Sequence, residues 1–275
     1  GNDTITLSVS GLSTAAQSIT SVTLDGIETL SVSNFDSRTN DTDDTTINGI
    51  TFTGVTNVNL AGSSATGDTA VTNLSGIAAA GMSNGAGDLD ITYLAAAVTG
   101  SDDTQTLALN GTTAGAFTAD NGIETLAVTS AGANAVITDL VGGTNTTTMT
   151  IGATTNLTVT NELEAFTTIN ATGSTGNVSV VADDTTDRDL TITMGAGGDT
   201  VNMGGRLTNA DTLTGGDGSD TLIVSDNSDI TDLSSANNTT GFETIRLNVF
   251  TIVFKDIYTD SFNKCSKNRK KKIEN

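Results

Sequence analysis

The chain has no histidine, no proline and no tryptophan, and a single cysteine, Cys265. Without histidine there is neither a Ser-His nucleophile nor a His-ligated metal centre. One cysteine cannot build a disulfide framework, although extracellular proteins are also held by metal ions. Aromatic residues make up 4% of the 275 residues, so a large aromatic core is excluded. Basic side chains are scarce. Residues 1–254 contain only Arg38, Arg188, Arg206 and Arg246, and no lysine. The Gly-rich segments therefore lack the lysine of a phosphate-binding loop, and nucleic acid is excluded as a partner by charge. No apolar run approaches the roughly 18–20 residues of a membrane-spanning helix, so no transmembrane segment is expected.

What the chain does have is threonine, glycine, asparagine, serine and aspartate, the vocabulary of short strands joined by polar turns. Its charge is divided unevenly. Residues 1–254 carry 29 acidic against 4 basic side chains, net −25, whereas the last 21 residues carry 7 basic against 3 acidic, net +4. That tail, residues 255–275, also holds Cys265 and Tyr258 and changes vocabulary within a few residues. It reads as a frameshifted or chimeric end and is set apart from the fold. A start at Gly1 without methionine reads as an internal piece of a longer chain.

Apolar residues alternate with polar ones throughout. Ile5, Leu7 and Val9 share one face, and Val22 and Leu24, then Leu30 and Val32, repeat the device. Leu107 and Leu109, Leu157 and Val159, Val178 and Val180, and Leu190, Ile192 and Met194 follow the same rule. A period of two with one apolar side predicts strands buried on one face. The stretches SGIAAAGM and ITYLAAAVTG are the two candidates for short helices.

The chain also repeats itself. DGIETLSV at 25–32, NGIETLAV at 121–128 and GFETIRL at 241–247 share glycine, a bulky apolar residue, Glu-Thr and a strand pattern. Such recurrence predicts stacked β-units rather than one sandwich. The role of Glu28, Glu124 and Glu243 is open from sequence; a turn carboxylate outweighs a catalytic one.

One short stretch carries chemistry. Residues 215–223 read GGDGSDTLI, and Gly215, Gly216, Gly218, Asp220 and Leu222 fit the nonapeptide G-G-x-G-x-D-x-U-x of calcium-binding parallel β-rolls. Glycines admit positive φ and turn carbonyl oxygens toward one point, while an aspartate adds a hard anionic oxygen. Calcium takes about six to eight such oxygens. Asp211 lies nine residues earlier in NADTL, and Gly195, Gly197 and Asp199 form a third copy in GAGGDTV, its register broken by MGGRLT.

In that order, GAGGDTV…LTNADTLTGGDGSDTLIV…GFETIRL resembles bacterial surface-layer proteins carrying RTX, or haemolysin-type, repeats. The resemblance is specific over residues 195–247 and looser over 1–194. It implies a secreted subunit of a two-dimensional lattice on a Gram-negative surface, dependent on calcium. Its ligands would be the carboxylates of Asp199, Asp211 and Asp220, with backbone carbonyls near Gly195, Gly197, Gly215, Gly216 and Gly218. Self-association is the implied partnership, with lipopolysaccharide phosphates bridged through calcium as a second.

The expected architecture is all-β, an elongated solenoid or β-roll of many short strands. Residues 1–194 form its Thr/Gly/Asn/Ala-rich body, 195–224 the calcium-binding repeats, 225–254 a continuing β segment and 255–275 the basic tail. A secreted RTX adhesin, or a non-catalytic repeat segment of a larger exoprotein, is the alternative. A polysaccharide-modifying β-helix is disfavoured, because the acid pairs Asp43/Asp44 and Asp183/Asp184 read as solvated loops and no tryptophan is present to stack a sugar.

Overall fold

The computed structural model describes residues 1–11, 17–36, 45–183, 186, 188–225 and 238–248. Within them the chain is a parallel β-solenoid. A long sheet of 11 strands begins at Thr4–Gly11 and ends at Thr239–Thr240, taking one strand from each successive coil. A companion sheet of six strands runs from Gln17–Ile19 to Asp139–Val141, and a second of six runs from Ala135–Ile137 to Thr244–Asn248. The coil spanning 125–141 visits all three sheets, so the first companion ends where the second begins.

Alternation explains the stacking. In a parallel ladder each residue sits above its equivalent in the previous coil, so inward apolar positions form columns. One column runs Leu30, Val58, Ala80, Leu107, Val128 and Ile151, each at most 3% exposed. Another runs Leu126, Met149, Ile169, Ile192 and Leu213. Across the core, Val180, Val201 and Leu222 stack in the second companion sheet. Each Val, Leu, Ile or Met in these columns contributes roughly 1.5–3 kcal/mol through removal from water, and Ala80 less.

Within the described residues the expected strands form, apart from Val22 and the parts of 225–254 that lie outside them, and the two helix candidates resolve differently. Ala79–Ser83 is a strand with Ala80 and Met82 buried. Leu89–Tyr93 is also a strand, and Ala95–Ala97 after it is a single 3₁₀ turn. Alanine's helix preference yields where neighbouring coils supply both ladder partners and an apolar column. Val22, expected inward with Leu24, lies outside the strand and is 39% exposed. The basic tail and Asp43, Asp44 and Asp184 lie outside the described residues.

Candidate functional site

The Gly-Asp repeats form the corners where the chain enters strands of the long sheet and the second companion sheet. Asp199 immediately precedes strand Thr200–Gly204, and Asp220 precedes Thr221–Ser225, both in the companion sheet. Asp211 precedes Thr212–Thr214 in the long sheet. The nine residues from Asp211 to Asp220 are thus a half-coil, and the full coil from Asp199 to Asp220 is 21 residues. The MGGRLT interruption supplies the extra turn, closed by the Arg206 N–H donating to the Met203 carbonyl. Structure therefore unites Asp199 and Asp220 in one corner column and leaves Asp211 in another sheet's corner.

These carboxylates staple coil to coil. The Val178 N–H donates to Asp199 Oδ1 at 2.7 Å, the Asp199 N–H to Asp220 Oδ1 at 2.7 Å, and the Asp220 N–H to Glu243 Oε2 at 2.7 Å. At the long-sheet corner the Leu190 N–H donates to Asp211 Oδ1 at 2.8 Å. The same contact gives the Gly-x-Glu-Thr repeats their purpose. Glu28 accepts the Asp3 N–H at 2.7 Å, and Glu124 accepts the Asp103 N–H at 2.8 Å. Acid-Thr is one corner device, with glutamate or aspartate reaching back one coil to a backbone donor. The one signal the sequence offers for Glu243 is the phrase it shares with Asp220, an acid before threonine at a strand start, which marks equivalent corners without saying which of them touch.

The second oxygens distinguish the three aspartates. Asp199 Oδ2 accepts the Gly195 N–H at 3.1 Å, and Asp211 Oδ2 accepts the Thr208 N–H at 2.7 Å. Asp220 Oδ2 is buried and has no hydrogen-bond partner, in a residue that is 0% exposed. It faces the glycine turn. A Cβ on Gly215 would lie 2.9 Å from Asp220 Oδ2 and 2.0 Å from the Gly241 carbonyl oxygen. An orphaned carboxylate oxygen and a carbonyl oxygen therefore crowd one glycine, and such a buried charge is costly unless something neutralises it.

The glycines have a second task. Gly216 and Gly218 have φ of +101° and +135°, as turns of this kind require. A Cβ on Gly216 would sit 2.0 Å from the Gly195 carbonyl oxygen, and one on Gly218 1.9 Å from that of Gly197. A Cβ on Gly195 would lie 2.4 Å from the Ser174 carbonyl oxygen, and one on Gly197 2.5 Å from that of Gly176. The turns are stacked too tightly for any side chain.

Burial is the largest influence on the carboxyls of Asp199 and Asp220. It pushes the Asp199 carboxyl above the ordinary 3.8, with N–H bonds from Val178 and Gly195 opposing. It raises Asp220 as well, opposed by the Asp199 N–H and reinforced by the charges of Asp199, Glu243 and Asp217. Asp139 is raised by burial too, with Glu164 adding to it. A raised folded pKa means the native state binds more protons than the unfolded chain above 3.8. Stability of the calcium-free protein should therefore rise as pH falls from 7 toward the carboxylate range, then level off. Denaturant titrations at pH 7 and 5 check this, and a lower midpoint at pH 5 contradicts it. Asp220→Asn should flatten the dependence.

Asp139 also lines a separate open groove of about 480 Å³ with Glu162, Glu164 and Asp183, where the first companion sheet ends. Among the described residues no helix is long and apolar enough to cross a membrane. Comparison with protein-family models, curated proteins and solved structures gives no match to this chain.

Proposed function

We propose that this chain is a non-enzymatic structural segment of a secreted, calcium-dependent surface layer on a Gram-negative cell, with calcium lodging at the Asp220 corner. The orphaned Asp220 Oδ2, buried beside Gly215 in a complete nonapeptide, carries the reading. Two features support a calcium ion there: a hard anionic oxygen without a donor, and the Gly241 carbonyl oxygen against the same glycine, Gly215. Among the described residues no three acids gather at one point, so backbone and solvent oxygens would complete the shell. With both oxygens engaged by backbone donors, Asp199 serves this reading as a staple one coil from the site and Asp211 as a staple at the long-sheet corner, neither as its centre.

Charge supplies the regulation. A chain of net −21 repels itself when compact, and three carboxylates stacked a coil apart sharpen that repulsion at one corner. Where calcium is scarce the corner is strained and the chain loose. In millimolar calcium the ion binds the folded form selectively and stabilises it by mass action. Calcium also bridges acidic surfaces, which links neighbouring subunits or the phosphates of lipopolysaccharide.

Isothermal calorimetry with Ca²⁺ tests the site. The expected result is saturable binding at about one ion per chain, with Kd on the order of 10⁻⁴–10⁻³ M. Asp220→Asn should abolish it. Absence of saturable heat at millimolar calcium, or unchanged binding by Asp220→Asn, overturns the assignment.

A further inference from the structure

The long sheet turns outward a face without charge. Its outward positions are Thr, Ser, Asn, Ala and Gly, with the single exception of Phe35, from strand Thr4–Gly11 to strand Thr212–Thr214, and no Asp, Glu, Lys or Arg stands among them. In a chain with 32 acidic residues, that sets this face apart. The two companion sheets differ, with Asp90 and Asp139 outward on one and Glu162 and Arg246 on the other. On the long sheet the acids begin only at the entering corner, with Glu28, Asp103 and Glu124.

The face is regular. Thr104, Thr125, Thr148, Thr168, Thr191 and Thr212 form one unbroken column of register partners. Beside it runs the column Ala127, Thr150, Asn170, Thr193 and Thr214. Small β-branched side chains at ladder spacing interdigitate when two sheets meet face to face. At one end stands Phe35, 55% exposed and the only exposed aromatic among the described residues. It projects from strand Thr29–Asp36 on this same side, between the inward Asn34 and Asp36. An exposed phenylalanine on an uncharged face is the composition of a protein contact.

We propose that the outward face of the long sheet is where a second copy of this chain docks, sheet against sheet. The inference deepens the surface-layer reading and rests on its premise of self-association, though not on calcium. Two considerations select a second copy as occupant. Chains of net −21 repel wherever their acids meet, and this face lets two of them approach with their charges at the rim. Its size also suits: eleven strands about 4.8 Å apart, from two to eight residues long and averaging some 15 Å, cover roughly 800 Å², the share of one partner in a standard interface. A self-complementary patch of this kind closes a two-fold pair.

Sedimentation equilibrium of the full chain tests the proposal, in calcium and in chelator. A reversible, concentration-dependent doubling of mass is expected. The pair Thr150→Glu and Thr193→Glu should weaken it by at least ~100-fold, because like charges face each other across the contact. Phe35→Ser should weaken it by about tenfold while adding no charge. The control pair Thr158→Glu and Thr200→Glu adds equal charge on the second companion sheet and should leave the mass unchanged. Circular dichroism and melting confirm that each variant is folded. A wild type that stays monomeric, or a control pair that dissociates as the face pair does, overturns the proposal. Loss of calcium binding with mass doubling intact contradicts the calcium assignment alone.

Discussion

Gly218→Ala should lower stability by about 3–5 kcal/mol, among the largest effects any single substitution has in this chain. Two costs combine. At φ +135° an L side chain is strained whatever the space around it. The new methyl would also lie 1.9 Å from the Gly197 carbonyl oxygen, which is backbone and cannot swing aside. Relief requires lifting one coil off the next, and that weakens the ladder and the apolar columns beneath. Gly76→Ala is the matched control, because no atom lies within 4 Å of its Cβ position and its φ is not in the left-handed region. It should fall within about 0.5 kcal/mol of wild type. Urea unfolding of both variants checks the contrast, and equal midpoints would contradict coil stacking as the reason for glycine at 218.

Asp199→Ala should cost a similar amount, about 3–5 kcal/mol, for a different reason. The carboxylate accepts the Val178 N–H at 2.7 Å and the Gly195 N–H at 3.1 Å, so truncation leaves two donors without their acceptor. Asp199 is 1% exposed, so water cannot readily replace the lost oxygens. Asp199→Asn keeps one acceptor oxygen and should recover part of the loss. The same comparison at Asp217, which is exposed, should be nearly neutral. An Asp199→Ala protein that unfolds with the wild type would mean that the corner acids do not hold coils together.

Much of this architecture was legible because a parallel solenoid asks little of distant sequence. Alternation in TLSVS, TLAL and LTVT fixes which side chains turn inward, and stacking then follows from repetition. The acid-Thr corner was visible as a recurring phrase but not as a staple. Glu28 and its donor Asp3 lie 25 residues apart, and Glu243 and Asp220 lie 23 apart, distances at which no local pattern reports a contact. Alanine at 79–80 misled for the opposite reason, since its local preference is helical while the neighbouring coils impose a strand. The glycines at 215–218 were recognisable by motif. Their crowding against the coil below could be seen only once the coils were superposed.

The candidate calcium ligands were likewise half legible. A nine-residue interval linked Asp211 to Asp220, with Asp199 in a third copy out of register, but a half-coil carries the chain from one sheet to the other, so Asp211 parts company with Asp220 while Asp199, a full coil away, stacks with it. What separates Asp220 from the rest is an oxygen left without a donor, a property of packing that spacing does not encode.

Thermal unfolding in chelator and in calcium tests the central claim most directly. With calcium at about ten times its Kd, selective binding to the folded chain adds ~1.4 kcal/mol and raises the midpoint by about 2–4 °C. Asp220→Asn should melt at one temperature in both solutions. A wild-type midpoint indifferent to calcium, or a calcium-dependent rise that survives Asp220→Asn, would contradict the claim that the ion lodges at this corner.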